Sequence, residues 1–275
     1  MAIVEWLGTG SGNDWATGAN WSTGSAPTAS DTAIFTTTSD TVAGTAPATA
    51  IAGLRIGEGF TGSIGTSASP FNIGATTVVI NCPNGSFFGT CQATTMTILA
   101  AGGTSPGVKL TNSAVTTLNI SGAKGRIEFT GTNGPATVSM RSADFCTLVV
   151  PSTCSDHTAI TMDSGTIETA RGITTATVQG GTLKMTGSQA STTITQSGGF
   201  VDYQSSGTVT NLNVDNGTFS LEKNGSTSVT ITNPIVVDGT LSERNGMINV
   251  TYTSRIHLNG AGQVIPDVGR QVAIS

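Results

Sequence analysis

Ser164-Gly165-Thr166-Ile167-Glu168, Gly180-Gly181-Thr182-Leu183-Lys184, Gly198-Gly199-Phe200-Val201-Asp202, Asn216-Gly217-Thr218-Phe219-Ser220 and Asp238-Gly239-Thr240-Leu241-Ser242 are versions of one phrase. The second-position glycines advance by 16, 18, 18 and 22 residues. Two residues past each glycine stands an apolar side chain, Ile167, Leu183, Val201, Phe219 or Leu241, and the residue after that is polar. Alternation with period two turns one face inward and the other outward, which is the pattern of a strand. Upstream, Ile160-Thr161-Met162, Ala176-Thr177-Val178, Ile194-Thr195-Gln196 and Leu212-Asn213-Val214 read as a second strand, apolar at alternate places except at Gln196. The intervening glycine supplies the positive φ that a tight turn requires.

A unit of roughly 18 residues cannot bury its own apolar face, so neighbouring units must stack on a shared core. Stacked in parallel, the column Ile167, Leu183, Val201, Phe219, Leu241 becomes an internal ladder with rungs about 4.8 Å apart. The same phrases also suit antiparallel hairpins, because Asn-Gly is a hairpin turn. The near-constant spacing and the ordered recurrence of side-chain roles favour the solenoid. No hexapeptide rhythm of a left-handed β-helix is present, which points to a right-handed or irregular coil. Thr117-Leu118-Asn119-Ile120, Arg126-Ile127-Glu128-Phe129 and Thr76-Thr77-Val78-Val79-Ile80 read as further strands. The expectation is an all-β protein, a β-solenoid of about ten short rungs and roughly 50 Å. Residues 1–50 form a Trp-containing N-terminal cap, 51–250 the repeats, and 251–275 a C-terminal cap or subunit-contact tail.

Composition agrees. The 275 residues include 36 glycines, and only 10% are charged and 5% aromatic, against a usual charged share of roughly 25%. That excludes a coiled coil, a charged helical bundle and an acidic disordered tail. Stacked rungs explain it, since like charges at rung spacing repel. Eleven Lys and Arg against 16 Asp and Glu give a net charge of −5, which argues against a nucleic-acid groove. No apolar stretch approaches the roughly 20 residues that span a bilayer. The N-terminus lacks the basic start and long apolar run of a secretory signal, so synthesis in a host cytoplasm without Sec export is expected.

All three tryptophans, Trp6, Trp15 and Trp21, fall in the first 21 residues. A solenoid end needs a cap over its open edge, and Trp is also enriched at binding anchors, so these three are candidates for both roles. The stretch Asp14-Trp15-Ala16-Thr17, Asn20-Trp21-Ser22-Thr23-Gly24, Pro27, Asp31-Thr32-Ala33-Ile34-Phe35, continuing to Leu54-Arg55-Ile56-Gly57-Glu58-Gly59-Phe60-Thr61-Gly62, resembles the opening of β-solenoid proteins. Such openings occur in autotransporter-like passengers of bacterial surfaces and in bacteriophage virion proteins. Autotransporter passengers carry an export signal and a membrane barrel, which this sequence does not show, so the resemblance implies a phage structural protein.

Motifs for chemistry are few. Gly57-Glu58-Gly59-Phe60-Thr61-Gly62 matches G-x-G-x-x-G, but Ser63 to Pro70 does not suit the helix that a dinucleotide site needs. Gly103-Thr104-Ser105-Pro106-Gly107 matches G-x-S-x-G, but Pro106 lacks the N–H an oxyanion hole would use. The two histidines, His157 and His257, are 100 residues apart. Glycan-cleaving β-helices use paired carboxylates; here stacking brings Glu168 near Asp202 with Lys184 between them, which reads more simply as a charge ladder. Cys82, Cys91, Cys146 and Cys154 contain no C-x-x-C pair. They allow two local disulfides, Cys82 with Cys91 and Cys146 with Cys154, or four reduced thiols. Near the C-terminus, Arg255, His257, Asp267 and Arg270 interrupt the repeat.

The functional expectation is a non-enzymatic virion component with no cofactor and no metal. It is a capsid decoration or cement protein, attached to the major capsid protein as a homo-oligomer, a trimer, through Trp6, Trp15 and Trp21. The rivals are a phage tail fibre or spike, or a surface adhesin, that binds host glycan, for which Tyr203 and Tyr252 are the candidate aromatics.

Overall fold

In the computed structural model the ladders described between named strands are parallel, and the chain is a β-solenoid of about 11 turns with 58% of its residues in strands and 2% in helix. The structure describes residues 1–44, 47, 49–102, 107–222, 228–243 and 249–266. The chain divides into two compact units, one of Met1–Ala136 with Phe145–Val149 and one of Thr137–Asp144 with Val150–Ser275.

In the second unit the expected column is in register: Ile167 opposite Leu183, Leu183 opposite Val201, Val201 opposite Phe219, Phe219 opposite Leu241, and Leu241 opposite Val264. The first five side chains are fully buried. On the neighbouring wall run Val138, Ile160, Ala176, Ile194 and Leu212, and beside them Met140, Met162, Val178, Gln196 and Val214. Burying a branched side chain in this way is worth about 1.5–3 kcal/mol each relative to exposure, which replaces the large core that an aromatic-poor chain lacks.

Turn glycines are required for two reasons. Gly165, Gly181, Gly199 and Gly217 have φ between 66° and 82°. A Cβ on Gly181, Gly199 or Gly217 would also stand 2.5 Å from the carbonyl oxygen of the turn glycine one coil earlier. Gly239 departs from its siblings: it is absent from the positive-φ set, and an added Cβ would instead meet Val214 Cγ1.

The first unit repeats the plan with less regular sequence. Val42, Ile64, Phe87, Val108, Ile127 and Leu148 form one buried column. Val4, Ala33, Leu54, Val78, Met96 and Leu118 form another, flanked by Phe35, Ile56, Ile80, Ile98 and Ile120. The parallel ladder thus begins at Ile3–Glu5, inside the segment expected to be a separate cap, and it continues through His257–Leu258 and Gln263–Ile265 into the segment expected to be a tail. Asp267 and Arg270 lie outside the described residues.

A cap does exist within the first coil. Trp21 bridges Trp6 antiparallel, and the Glu5 N–H and C=O that point away from the next coil are taken by Ser22 Oγ and Ser22 N–H at 2.9 and 2.8 Å. Trp15 packs edge-on against Trp21 at 4.6 Å between centroids, and Trp6 against Trp21 at 5.0 Å. Phe35 and Phe71 complete the cluster.

The outward column is corrected in part. Glu168 and Lys184 are half-buried as expected, but Asp202, Ser220 and Ser242 in the same register are buried. Residues just past two of these strands bond to them: Gln204 Nε2 donates to Asp202 Oδ2, Glu222 N–H to Ser220 Oγ, and Ser242 Oγ of the next coil to Glu222 Oε1.

Candidate functional site

The three tryptophans are 1–2% exposed, so none presents a surface to a partner. They are the core of the first coil, which leaves no exposed ring for the anchor role expected of Trp6, Trp15 and Trp21. The polar edge of Trp6 is satisfied inside, Nε1 donating to Asp40 Oδ2 at 3.1 Å, and that of Trp21 donates to Trp15 O at 2.7 Å.

The remaining candidate chemistry resolves into structure. Gly57 to Gly62 is a turn between the strands Ile51–Ile56 and Ser63–Ile64, with Phe60 buried under it, and no helix N-terminus follows to hold a phosphate. Gly103 to Pro106 lie outside the described residues. His157 is buried with Nε2 3.1 Å from Thr169 Oγ1, whereas His257 sits exposed on the strand His257–Leu258. Lys184 stands in register between Glu168 and Asp202, yet among the described residues the ion pairs are Arg126 with Glu128 and Arg171 with Asp156.

The four cysteines are buried thiols and not disulfides. Cys91 is stacked opposite Ile73, while Cys82 is opposite Ala101, so the two belong to different corners of the coil. Burial pushes the Cys82 and Cys91 thiols up to about 12 and Cys146 up to about 11, and raises Cys154 as well. Such thiols act as small core side chains. Tyr203 is equally internal, its hydroxyl donating to Gly207 O at 2.8 Å and its pKa pushed up to about 12 by burial. Tyr252 is bound to Glu243. Tyr203 therefore offers no ring to a glycan, whereas Tyr252 is half-buried.

The surface that does stand out lies in the first unit. Among the described residues the large apolar ones exposed to solvent are Met1, Ile3, Leu7, Leu99 and Phe145, and all but Leu7 line two adjoining grooves that share Asn81. One groove, of about 400 Å³, is walled by Met1, Ile3, Ile34, Arg55, Val79 and Leu99. Ile34, Arg55 and Val79 are in register on successive coils, each between two buried neighbours. Leu99 reaches the groove by an irregularity: Ile80 pairs with Ile98 but Asn81 pairs with Ala100, so Leu99 is the extra residue of a bulge. A bulge re-aims the side chain it carries, and Leu99 is 39% exposed. Asp31 fixes the N-terminal end, its carboxylate accepting from Ala2 N–H and from Thr28; these bonds lower its pKa to about 2.

The second groove, of about 770 Å³, is walled by Glu58, Asn81, Lys124, Arg126, Phe145 and Thr147. Phe145 is 77% exposed, and Lys124 Nζ stands 5.9 Å from its ring centroid. The two residues are held together by the backbone, because Gly125 N–H donates to Phe145 O at 3.1 Å. Gly125 has φ 95°, and a Cβ there would fall 1.9 Å from Ala101 O; only glycine lets the coils close at this corner.

No family model, curated protein or solved structure matches the chain.

Proposed function

We propose that the chain is a non-enzymatic structural protein of a bacteriophage particle that decorates or cements the head shell as a homotrimer. The observation that carries the attachment is the gathering of exposed apolar side chains on one face of the first unit, around Ile3, Val79 and Leu99. Elsewhere the surface strands are built largely of Thr, Ser and Asn. An apolar patch rimmed by polar residues is the usual mark of an interaction surface. The particle itself is suggested by the resemblance of residues 14–62 to phage and bacterial β-solenoid openings. The occupant of the groove is then a subunit of the shell, and its apolar side chains displace water from Met1, Ile3 and Leu99.

The test is to mix the purified protein with undecorated shells and to image the sedimented particles. Co-sedimentation with added density contacting the shell through the Val79 and Leu99 face supports the proposal. Shells that sediment bare overturn it.

A further inference from the structure

We infer that the groove around Phe145 is a binding subsite for an acidic pyranose, a uronic or sialic acid residue of a surface polysaccharide or glycoconjugate. This site is separate from shell attachment and does not depend on it. Three features of the groove select the ligand. The exposed ring of Phe145 is a flat apolar platform, which suits the flat C–H face of a sugar ring. Around it stand Asn81, Glu58 and Thr147, donors and acceptors for hydroxyl groups at the rim. A cation completes the match. Lys124 Nζ stands over the ring, 5.9 Å from its centroid; a sugar that takes this face displaces the flexible ammonium to the ring's edge, where an exocyclic carboxylate pairs with it. Arg126 lines the same wall with its charge offset by Glu128, whose Oε2 lies 3.6 Å from Nε, so Lys124 is the cation that selects for acid.

The chemistry is binding only: no bond to the sugar is made or broken. A neutral sugar keeps the stacking and loses the ion pair, whereas an acidic peptide keeps the charge and loses the stacking. That difference makes the site testable by calorimetric titration of the full chain. The probes are a glucuronate-containing hexasaccharide, a sialyl trisaccharide, the hexasaccharide with its carboxylates reduced to alcohols, and hexaglutamate. At least one acidic sugar is expected to bind, and the carboxyl-reduced hexasaccharide and hexaglutamate each bind about tenfold or more weakly than it does. Phe145→Ala weakens acidic and reduced sugars alike by about tenfold. Lys124→Ala weakens the acidic sugar alone, by about fivefold, so the preference for acid falls. Phe145 and Lys124 are both exposed, so neither change endangers the fold. Absence of binding by both acidic sugars, equal binding of hexaglutamate, or titrations unchanged in Phe145→Ala would each overturn the assignment.

Discussion

Asn81 pairs with Ala100 and not with Leu99, one position after Ile80 has paired with Ile98. That single slip turns Leu99 out of the ladder and places Asn81 where the apolar groove meets the groove of Phe145. The two grooves of the first unit therefore meet beside one extra residue in one coil.

The apolar face should respond to charge without loss of fold. Val79→Asp and Leu99→Asp are expected to abolish co-sedimentation with shells, while Thr192→Asp, on an exposed position of the second unit, leaves it intact. Surface changes of this kind move stability by about 0.5 kcal/mol or less, so the thermal midpoints should stay within about 3 °C of wild type. A collapse of the midpoint in Leu99→Asp would mean that the bulge is structural and not a docking device.

Turn glycines separate two costs. Gly122 has φ 66°, and nothing lies within 4 Å of an added Cβ, so Gly122→Ala carries only the backbone penalty, about 1 kcal/mol. Gly199 has the same φ, but its Cβ would meet Gly181 O at 2.5 Å. Gly199→Ala should lower the denaturation midpoint well beyond Gly122→Ala, because two coils must separate to admit a methyl group. Equal midpoints would refute the close-stacking argument.

Gln196 occupies a core position between Val178 and Val214. Its Nε2 donates to Gly199 O at 3.0 Å and Thr218 O at 2.9 Å, tying the turn of its own coil to the strand of the next. Gln196→Leu restores an unbroken apolar ladder and removes a buried Oε1 that has no partner, but it strips the donor from two carbonyls. An unmade buried hydrogen bond costs about 1–3 kcal/mol, so the variant is expected to be less stable in urea titration, by about 1 kcal/mol net. A more stable variant would show that the orphaned oxygen outweighs both bonds.

The thiols give the fold a pH signature. Folded Cys82 and Cys91 titrate near 12 and Cys146 near 11, against 9.0 in the absence of burial. The folded state holds these protons more tightly, so its stability is complete below about pH 9 and falls as the pH rises toward 12. Thermal midpoints should decline across that window. A thiol reagent at pH 8 should react slowly with the native protein and with four sulfurs once it is unfolded. Rapid reaction of the native protein would contradict the buried setting.

The second unit was legible because its phrase is nearly periodic: the column from Ile167 to Leu241 follows from counting alone, as does the positive φ at Gly165 to Gly217. Legibility failed just past the strand ends. Asp202, Ser220 and Ser242 alternate outward in sequence, yet Gln204 and Glu222, just past the ends of their strands, bond to them, which a period-two reading cannot see. The tryptophans misled in another way, since the same residue type serves a cap and an interface, and burial alone separates the two. The recognition faces did leave a trace. Ala33-Ile34-Phe35 and Val78-Val79-Ile80 are apolar at three successive positions, so their outer face is apolar too. Nothing in the sequence marked Phe145 or the bulge at Leu99, because both depend on which coil lies beside which.

The antiparallel hook at Glu5 and Ser22 has a consequence for growth. A parallel ladder is a template, and an open first rung would accept the last rung of another molecule and propagate into a fibre. By reversing direction once, the chain consumes the hydrogen bonds of Glu5 that would seed such polymerisation.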